Sequence, residues 1–204
     1  SVDLGGRRII KKKKTQKNRK TRKLRKKQNQ ITKRDQKQRD KEIIKRTEAF
    51  VKEMRESTEK ELAPYRARVA GKKVAIYVGG GFKAISLIKQ FNDLGIKTVM
   101  VGTQTGREEE YEVIRKLADE DTIILDDANP AELEKFMLDK GADILVGGVK
   151  ERPLAYKLGV SFIDHNHERK HALCGFEGSI NFAKEVDLTV NSPVWDIVNE
   201  RGEI

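Results

Sequence analysis

The chain has 204 residues, enough for one domain with an appendage, and 37% are hydrophobic while another 37% are charged. No apolar run approaches the ~20 residues that cross a bilayer, the basic start lacks the apolar segment of a secretory signal, and the single cysteine, Cys174, excludes an internal disulfide and a multi-cysteine zinc site. The net charge of +11 is uneven, because residues 1–40 hold 18 Lys and Arg against 3 Asp, a net +15, and the rest of the chain carries −4.

Residues 1–40 read as a basic, low-complexity tail of solvated or non-native character. Beyond position 6 its only apolar residues are Ile9, Ile10, Leu24 and Ile31, too few to offset ordering entropy by burial. A solvated helix continuing into the next segment is the structured alternative. A phosphate-backbone binder is the functional one, disfavoured because interleaved aromatics and a recognised nucleic-acid motif are missing. From Lys41 the pattern turns helical. Ile43, Thr47, Phe50, Met54 and Ser57 recur at three- and four-residue spacing, with Ile44, Val51 and Leu62 widening the stripe. Residues 41–70 are expected to form a helix and linker that lean on the domain after them, with Pro64 ending the helix.

Residues 71–204 alternate strands and helices. Val74 to Val78 is a buried strand followed by Gly79, Gly80 and Gly81. Ile85, Ile88, Phe91 and Leu94 mark a helix that Gly95 stops. Thr98 to Val101 is the second strand and Glu108 to Leu117 a charged helix. Thr122 to Leu125 is the third strand. Asn129, Pro130 and Glu132 read as an N-cap, first position and capping-box partner, and that helix runs to about Lys140. Ile144 to Val146, a short helix near Leu154 to Leu158, Ser161 to Ile163 and a helix over Glu177 to Val186 complete the series. The pattern predicts an α/β fold, a Rossmann-like doubly wound parallel sheet of about five strands with a preceding helix. Ligands of such sheets sit at the carboxyl ends of the strands.

Three clusters fall at those ends. Gly79, Gly81 and Ala84 satisfy G-x-G-x-x-A, but the second strand ends Val101-Gly102-Thr103-Gln104 with no ribose-binding acid before Glu108. A tight turn admitting a ligand or another backbone is therefore preferred to a dinucleotide site. Asp164 to Cys174 gathers all three histidines and the only cysteine. Zinc binding, catalysis by Cys174 with a histidine, and a polar loop without chemistry all remain open there. Gly147-Gly148-Val149-Lys150-Glu151-Arg152 places cations at a strand end, which suits an anionic ligand or a solvated turn equally.

The order of these pieces carries a resemblance. Tyr77-Val78-Gly79-Gly80, Leu94-Gly95-Ile96, Gly102-Thr103, Leu125 to Pro130, Gly148 to Arg152, Phe162 to Arg169, Gly175 to Gly178, Asn181 to Ala183 and Ser192 to Trp195 together resemble the last domain of nitrogenase component 1 and its relatives. Within that family the likeness is to the scaffold subunits of iron–molybdenum cofactor assembly, over about Lys41 to Val198. The resemblance implies a binding platform without catalysis of its own, cytoplasmic, paired with a homologous scaffold subunit and with cofactor-assembly or acceptor proteins. A domain of a nitrogenase-like catalytic reductase is the alternative. The resemblance implies an iron–molybdenum cofactor precursor and an iron–sulfur cluster in the complete protein, with none expected in this chain alone. Catalytic relatives hold the cofactor through a histidine after the fifth strand, and its counterpart here is Asn166. An amide is a poor ligand for a soft metal centre, which suits a scaffold that must release its cluster. The residues implied to bind the cofactor are Gly79, Gly80, Gly81, Lys83, Lys150, Glu151, Arg152, Asp164, His165, Asn166, His167 and Arg169, with His165 and His167 as candidate transient metal contacts. Lys150, Arg152 and the loop from Asp164 to Arg169 are expected to share one pocket, with Glu151 orienting the two cations.

Overall fold

A computed structural model describes residues 4–165, 171–195 and 197, with side chains described from residue 21 onward. The chain divides into two compact units after Glu53. The described residues of the first unit belong to helix α1 (Leu4–Val69). No Gly or Pro occurs between Gly6 and Pro64, and Lys, Arg, Gln and Glu are good helix formers. Residues 21–50 are all exposed. Propensity and pairs one turn apart, such as Arg46–Glu42 at 2.6 Å and Gln36–Asp40 at 2.9 Å, shape this stretch. From residue 21 on, the run read as low-complexity is thus a solvated helix. Ile43, Ile44 and Phe50, expected to lean on a neighbouring domain, are more than half exposed.

The second unit begins with the last turns of α1. Pro64 does not end the helix as expected but lies inside it. A proline there removes one backbone hydrogen bond and costs about 3 kcal/mol. Burial of Leu62 and Val69, with Tyr65 packed beside them, offsets that cost.

The alternating elements follow as β1 (Lys73–Val78), α2 (Gly81–Asp93), β2 (Lys97–Thr103), α3 (Glu108–Leu117), β3 (Ile123–Asp126), α4 (Pro130–Lys140), β4 (Ile144–Gly147), α5 (Arg152–Leu158), β5 (Ser161–Asp164) and α6 (Gly175–Val190). The five strands are all parallel, in the order β3-β2-β1-β4-β5. Strand side chains alternate between faces. Val74, Ile76 and Val78 join α1, α2, α3 and α6 in one core, where Phe91 meets Phe182 edge to face at 5.1 Å. Ala75 and Tyr77 point the other way, onto Leu133 and Met137 of α4 and Ala155 of α5. Asn129 caps α4 as its sequence predicts, accepting from the N–H groups of Ala131 and Glu132 at 3.0 Å.

The end of α1 is tied to α6 by charge. Asp187, only 7% exposed, accepts from Arg68 and, at 2.8 Å, from the Asn191 amide. Arg68 is itself half-exposed, so water screens part of the pair. Asp187→Ala is expected to cost about 1–2 kcal/mol, chiefly through lost charge-assisted bonds. A lowered midpoint in urea unfolding checks this, and an unchanged midpoint would show the pair to be idle.

Candidate functional site

The strand order makes a crevice. The chain leaves β1 toward β2 on one side of the sheet, and it leaves β4 toward β5 on the other, while β1 and β4 lie together with Ile76 opposite Val146. Such a switch point opens between the turns that follow the two strands. An open cleft of about 830 Å³ lies there. Gly79, Gly80, Phe82 and Lys83 line it after β1, Gln104, Thr105 and Arg107 after β2, Gly147 to Glu151 after β4, and His165 after β5.

The three glycines of the first turn differ. A Cβ on Gly79 or Gly80 would meet nothing within 4 Å, whereas one on Gly81 would lie 2.6 Å from Cβ of Glu110. Gly81 is bare so that α3 can approach α2. Gly79 and Gly80 leave their backbone open to the cleft, where the first turn of α2 presents N–H groups. Thr105 clamps this turn, since its N–H and hydroxyl donate to the Gly79 carbonyl at 3.0 and 2.5 Å. Gln104 N–H donates to the Val78 carbonyl at 3.2 Å.

Charge is unequally disposed around this cradle. Glu110 accepts the Arg107 N–H at 2.8 Å, and Glu151 accepts the Gly148 N–H at 2.7 Å. Both carboxylates are occupied by backbone donors. Glu151 therefore closes the turn after β4, and the expectation that it orients Lys150 and Arg152 is corrected. Lys83 donates to the His165 carbonyl at 2.5 Å, and His165 N–H donates to the Gly147 carbonyl at 3.1 Å. This ties the turns after β1, β4 and β5 while Lys83 keeps its charge beside a neutral partner. Lys150 also faces the cleft. Arg152 is turned to Asp164 at 2.6 Å and lies over the Phe162 ring, 5.5 Å from its centroid, so the Asp164 carboxylate offsets its charge. On the floor, the buried Tyr77 hydroxyl donates to the Ala128 carbonyl at 2.8 Å. Burial raises its phenol above the ordinary range, with the charges of Asp127 and Glu151 adding and a bond to Gln104 opposing.

Of the residues singled out in the sequence, Gly79, Gly80, Lys83, Lys150, Glu151 and His165 meet at the cleft. Gly81 stands behind it, and Asp164 and Arg152 pair with each other. Asn166, His167 and Arg169 lie outside the described residues. Sequence reasoning missed Tyr77, Phe82, Gln104, Thr105 and Arg107. The turn after β2 lacks the ribose-binding acid of a dinucleotide site and carries a cation, Arg107, instead. Among the described residues no group of three or more His, Cys, Asp or Glu is placed to hold a metal ion. Cys174 is exposed at the start of α6.

Comparison with known proteins agrees with this architecture. A model of the family described as Nitrogenase component 1 type Oxidoreductase matches residues 21–191, beginning inside the basic run rather than at Lys41. A protein of Clostridium pasteurianum named "Nitrogenase iron-molybdenum cofactor biosynthesis protein NifE" is 68% identical over 157 residues, covering 77% of this chain and 34% of its own length. The protein of that name in Methanosarcina barkeri is 48% identical, covering 78% of this chain and 35% of its own. A "Nitrogenase molybdenum-iron protein alpha chain" of Methanothermobacter thermautotrophicus is 37% identical, covering 79% and 34%. The chain thus spans about a third of the length of these relatives. A solved structure titled "Nitrogenase Cp1 at pH 6.5" shares the fold with a TM-score of 0.62 at 19% identity, covering 74% of this chain and 40% of that one. Among the described residues no helix is long and apolar enough to cross a membrane.

The two kinds of glycine should respond differently to a methyl group. Gly81→Ala, forced against Glu110, is expected to destabilise the chain by about 1–3 kcal/mol. Gly79→Ala enters open space, so its stability should stay within about 0.5 kcal/mol of the parent. Thermal unfolding of the two variants side by side checks the contrast, and equal losses would remove it.

Proposed function

The chain belongs to the nitrogenase component 1 type oxidoreductases, and from that premise we propose that it is the last Rossmann-like domain of a scaffold for iron–molybdenum cofactor assembly. Its carboxyl-edge cleft would hold a maturing cluster before transfer. The names and identities of the relatives from Clostridium pasteurianum and Methanosarcina barkeri support a scaffold. The likeness to an alpha chain at 37% identity is what favours the second reading, a domain of a catalytic reductase subunit.

One observation carries the reading. Two bare glycines, Lys83 and Lys150 converge on a switch-point cleft whose nearby carboxylates are occupied by backbone N–H groups. A sulfur-rich metal cluster is a bulky anion with acceptor atoms on its surface. Ammonium groups and helix-terminal N–H groups can hold such cargo without bonding its metal. Cargo held in that way can be released without breaking a metal–ligand bond. Asn166, where catalytic relatives place imidazole, points the same way, because an amide binds a soft metal weakly. In the complete protein the partners would be a homologous, NifN-like subunit and the proteins that deliver or accept the cluster. An iron–sulfur cluster would belong to parts of the protein outside this chain, since thiolates are its usual ligands and Cys174 is the only cysteine here.

The test uses the complete scaffold complex. Lys83→Gln with Lys150→Gln is expected to lower the cluster retained after gel filtration about 10-fold, the equivalent of ~1.4 kcal/mol, with the complex still assembled. In the same assay Asn166→His should slow delivery to the acceptor while assembly proceeds. Undiminished retention in the double variant, together with unchanged delivery by Asn166→His, would sink the scaffold reading of this cleft.

A further inference from the structure

Arg107 belongs to no motif in the sequence, yet it lines the cleft on the wall that follows β2. The loop that carries it is held at both ends. Thr105 is bonded to the Gly79 carbonyl by its N–H and its hydroxyl, and the Arg107 N–H is held by Glu110. Between these anchors the loop rests on a buried hydroxyl. Tyr111, 6% exposed, donates to Asp126 at 2.8 Å and lies 2.7 Å from the Thr103 hydroxyl. With the phenol proton directed at Asp126, Thr103 donates to the phenol oxygen. Gly106 presses onto this pair, since a Cβ there would lie 2.3 Å from Thr103 Oγ1 and 2.8 Å from the Tyr111 hydroxyl oxygen. Burial, foremost among its neighbours' effects, raises the Tyr111 phenol above its ordinary range. A phenol is protonated at neutral pH in any case, so the bridge persists.

We propose that Arg107 is a third anion-engaging residue of the cleft, beside Lys83 and Lys150, and that Tyr111 is the positioning residue that holds its loop. This rests on the reading of the cleft as a holder of negatively charged cargo. The chemical class it takes is a multivalent anion presenting paired acceptor atoms. A guanidinium meets such a pair with two parallel N–H donors, which an ammonium cannot do. Arg107 thereby selects a broad anionic face, while Lys83 and Lys150 supply point charges.

The experiment titrates inorganic tripolyphosphate into the isotope-labelled full chain. Amide resonances of Gly79, Gly80 and Thr105 report the cleft separately from the basic residues 1–40. Arg107→Gln is expected to weaken binding at those amides about 10-fold, and Arg107→Lys to recover part of the loss. Arg115→Gln removes the same charge from the last turn of α3, where Arg115 pairs with Glu108 at 2.9 Å, and should leave the affinity unchanged. Tyr111→Phe should weaken binding in the parent chain but not in the Arg107→Gln background, a non-additivity that a purely structural role does not produce. Equal affinity of the parent and Arg107→Gln would overturn the proposal, as would an equal loss from Arg115→Gln. An additive loss from Tyr111→Phe would remove Tyr111 from the positioning role. If the parent chain shows no binding at these amides, the anionic reading of the cleft fails and this proposal fails with it.

Discussion

The central place of β1 is the constraint on which the rest depends. It is hydrogen-bonded on one side to β2 and on the other to β4, in parallel register with both. Parallel pairing brings the carboxyl ends of all three strands to one edge, so the turns after them must meet. Strands paired on both sides and covered on both faces need apolar residues at nearly every position. Val74 to Val78 meets that demand, with every side chain at 6% exposure or less. The polar work falls to the residues just beyond it, where the backbone can reach solvent and ligand.

At that edge the two acids of the cleft close their own turns, while Lys83, Arg107 and Lys150 line its walls. Glu110 and Glu151 each stand three residues beyond a backbone N–H that they accept from, those of Arg107 and Gly148. Each closes its own turn and keeps its negative charge, and the three cations Lys83, Arg107 and Lys150 outnumber these two carboxylates along the cleft. These cations are carried by three different turns, so the field depends on the sheet's topology rather than on a single basic run.

Much of the fold was legible because strand and helix periods alternate cleanly and Asn129-Pro130-x-Glu132 spells out a helix start. The carboxyl-edge location of the cleft was legible for the same reason. The strand order was not, because periodicity says nothing about which strand neighbours which, and the juxtaposition of Gly79 with Gly148 depends on that order. Pro64 misled because local backbone chemistry was read without the burial of Leu62 and Val69 that outweighs it. Ile43 and Phe50 misled in the opposite direction, since an apolar stripe states a capacity for burial and not its realisation. Arg152 was placed in the pocket by its neighbours in sequence, whereas its guanidinium turns to Asp164. Only tertiary geometry separates it from Lys150.

The floor of the cleft carries a consequence for the lineage of the chain. The Tyr77 ring lies against Gly102 on the next strand, so closely that a Cβ on Gly102 would fall 2.5 Å from the ring carbon Cδ2. Two positions on adjacent strands are therefore one unit of inheritance. A descendant that gains a side chain at 102 must shrink the residue at 77 in the same step or pass through a strained intermediate. The shrunken partner would also surrender the hydroxyl bond to Ala128 that secures the turn before α4. Position 102 is closed to a side chain unless 77 shrinks first, and the pair should covary across homologues as a large residue facing glycine or a small residue facing a larger one.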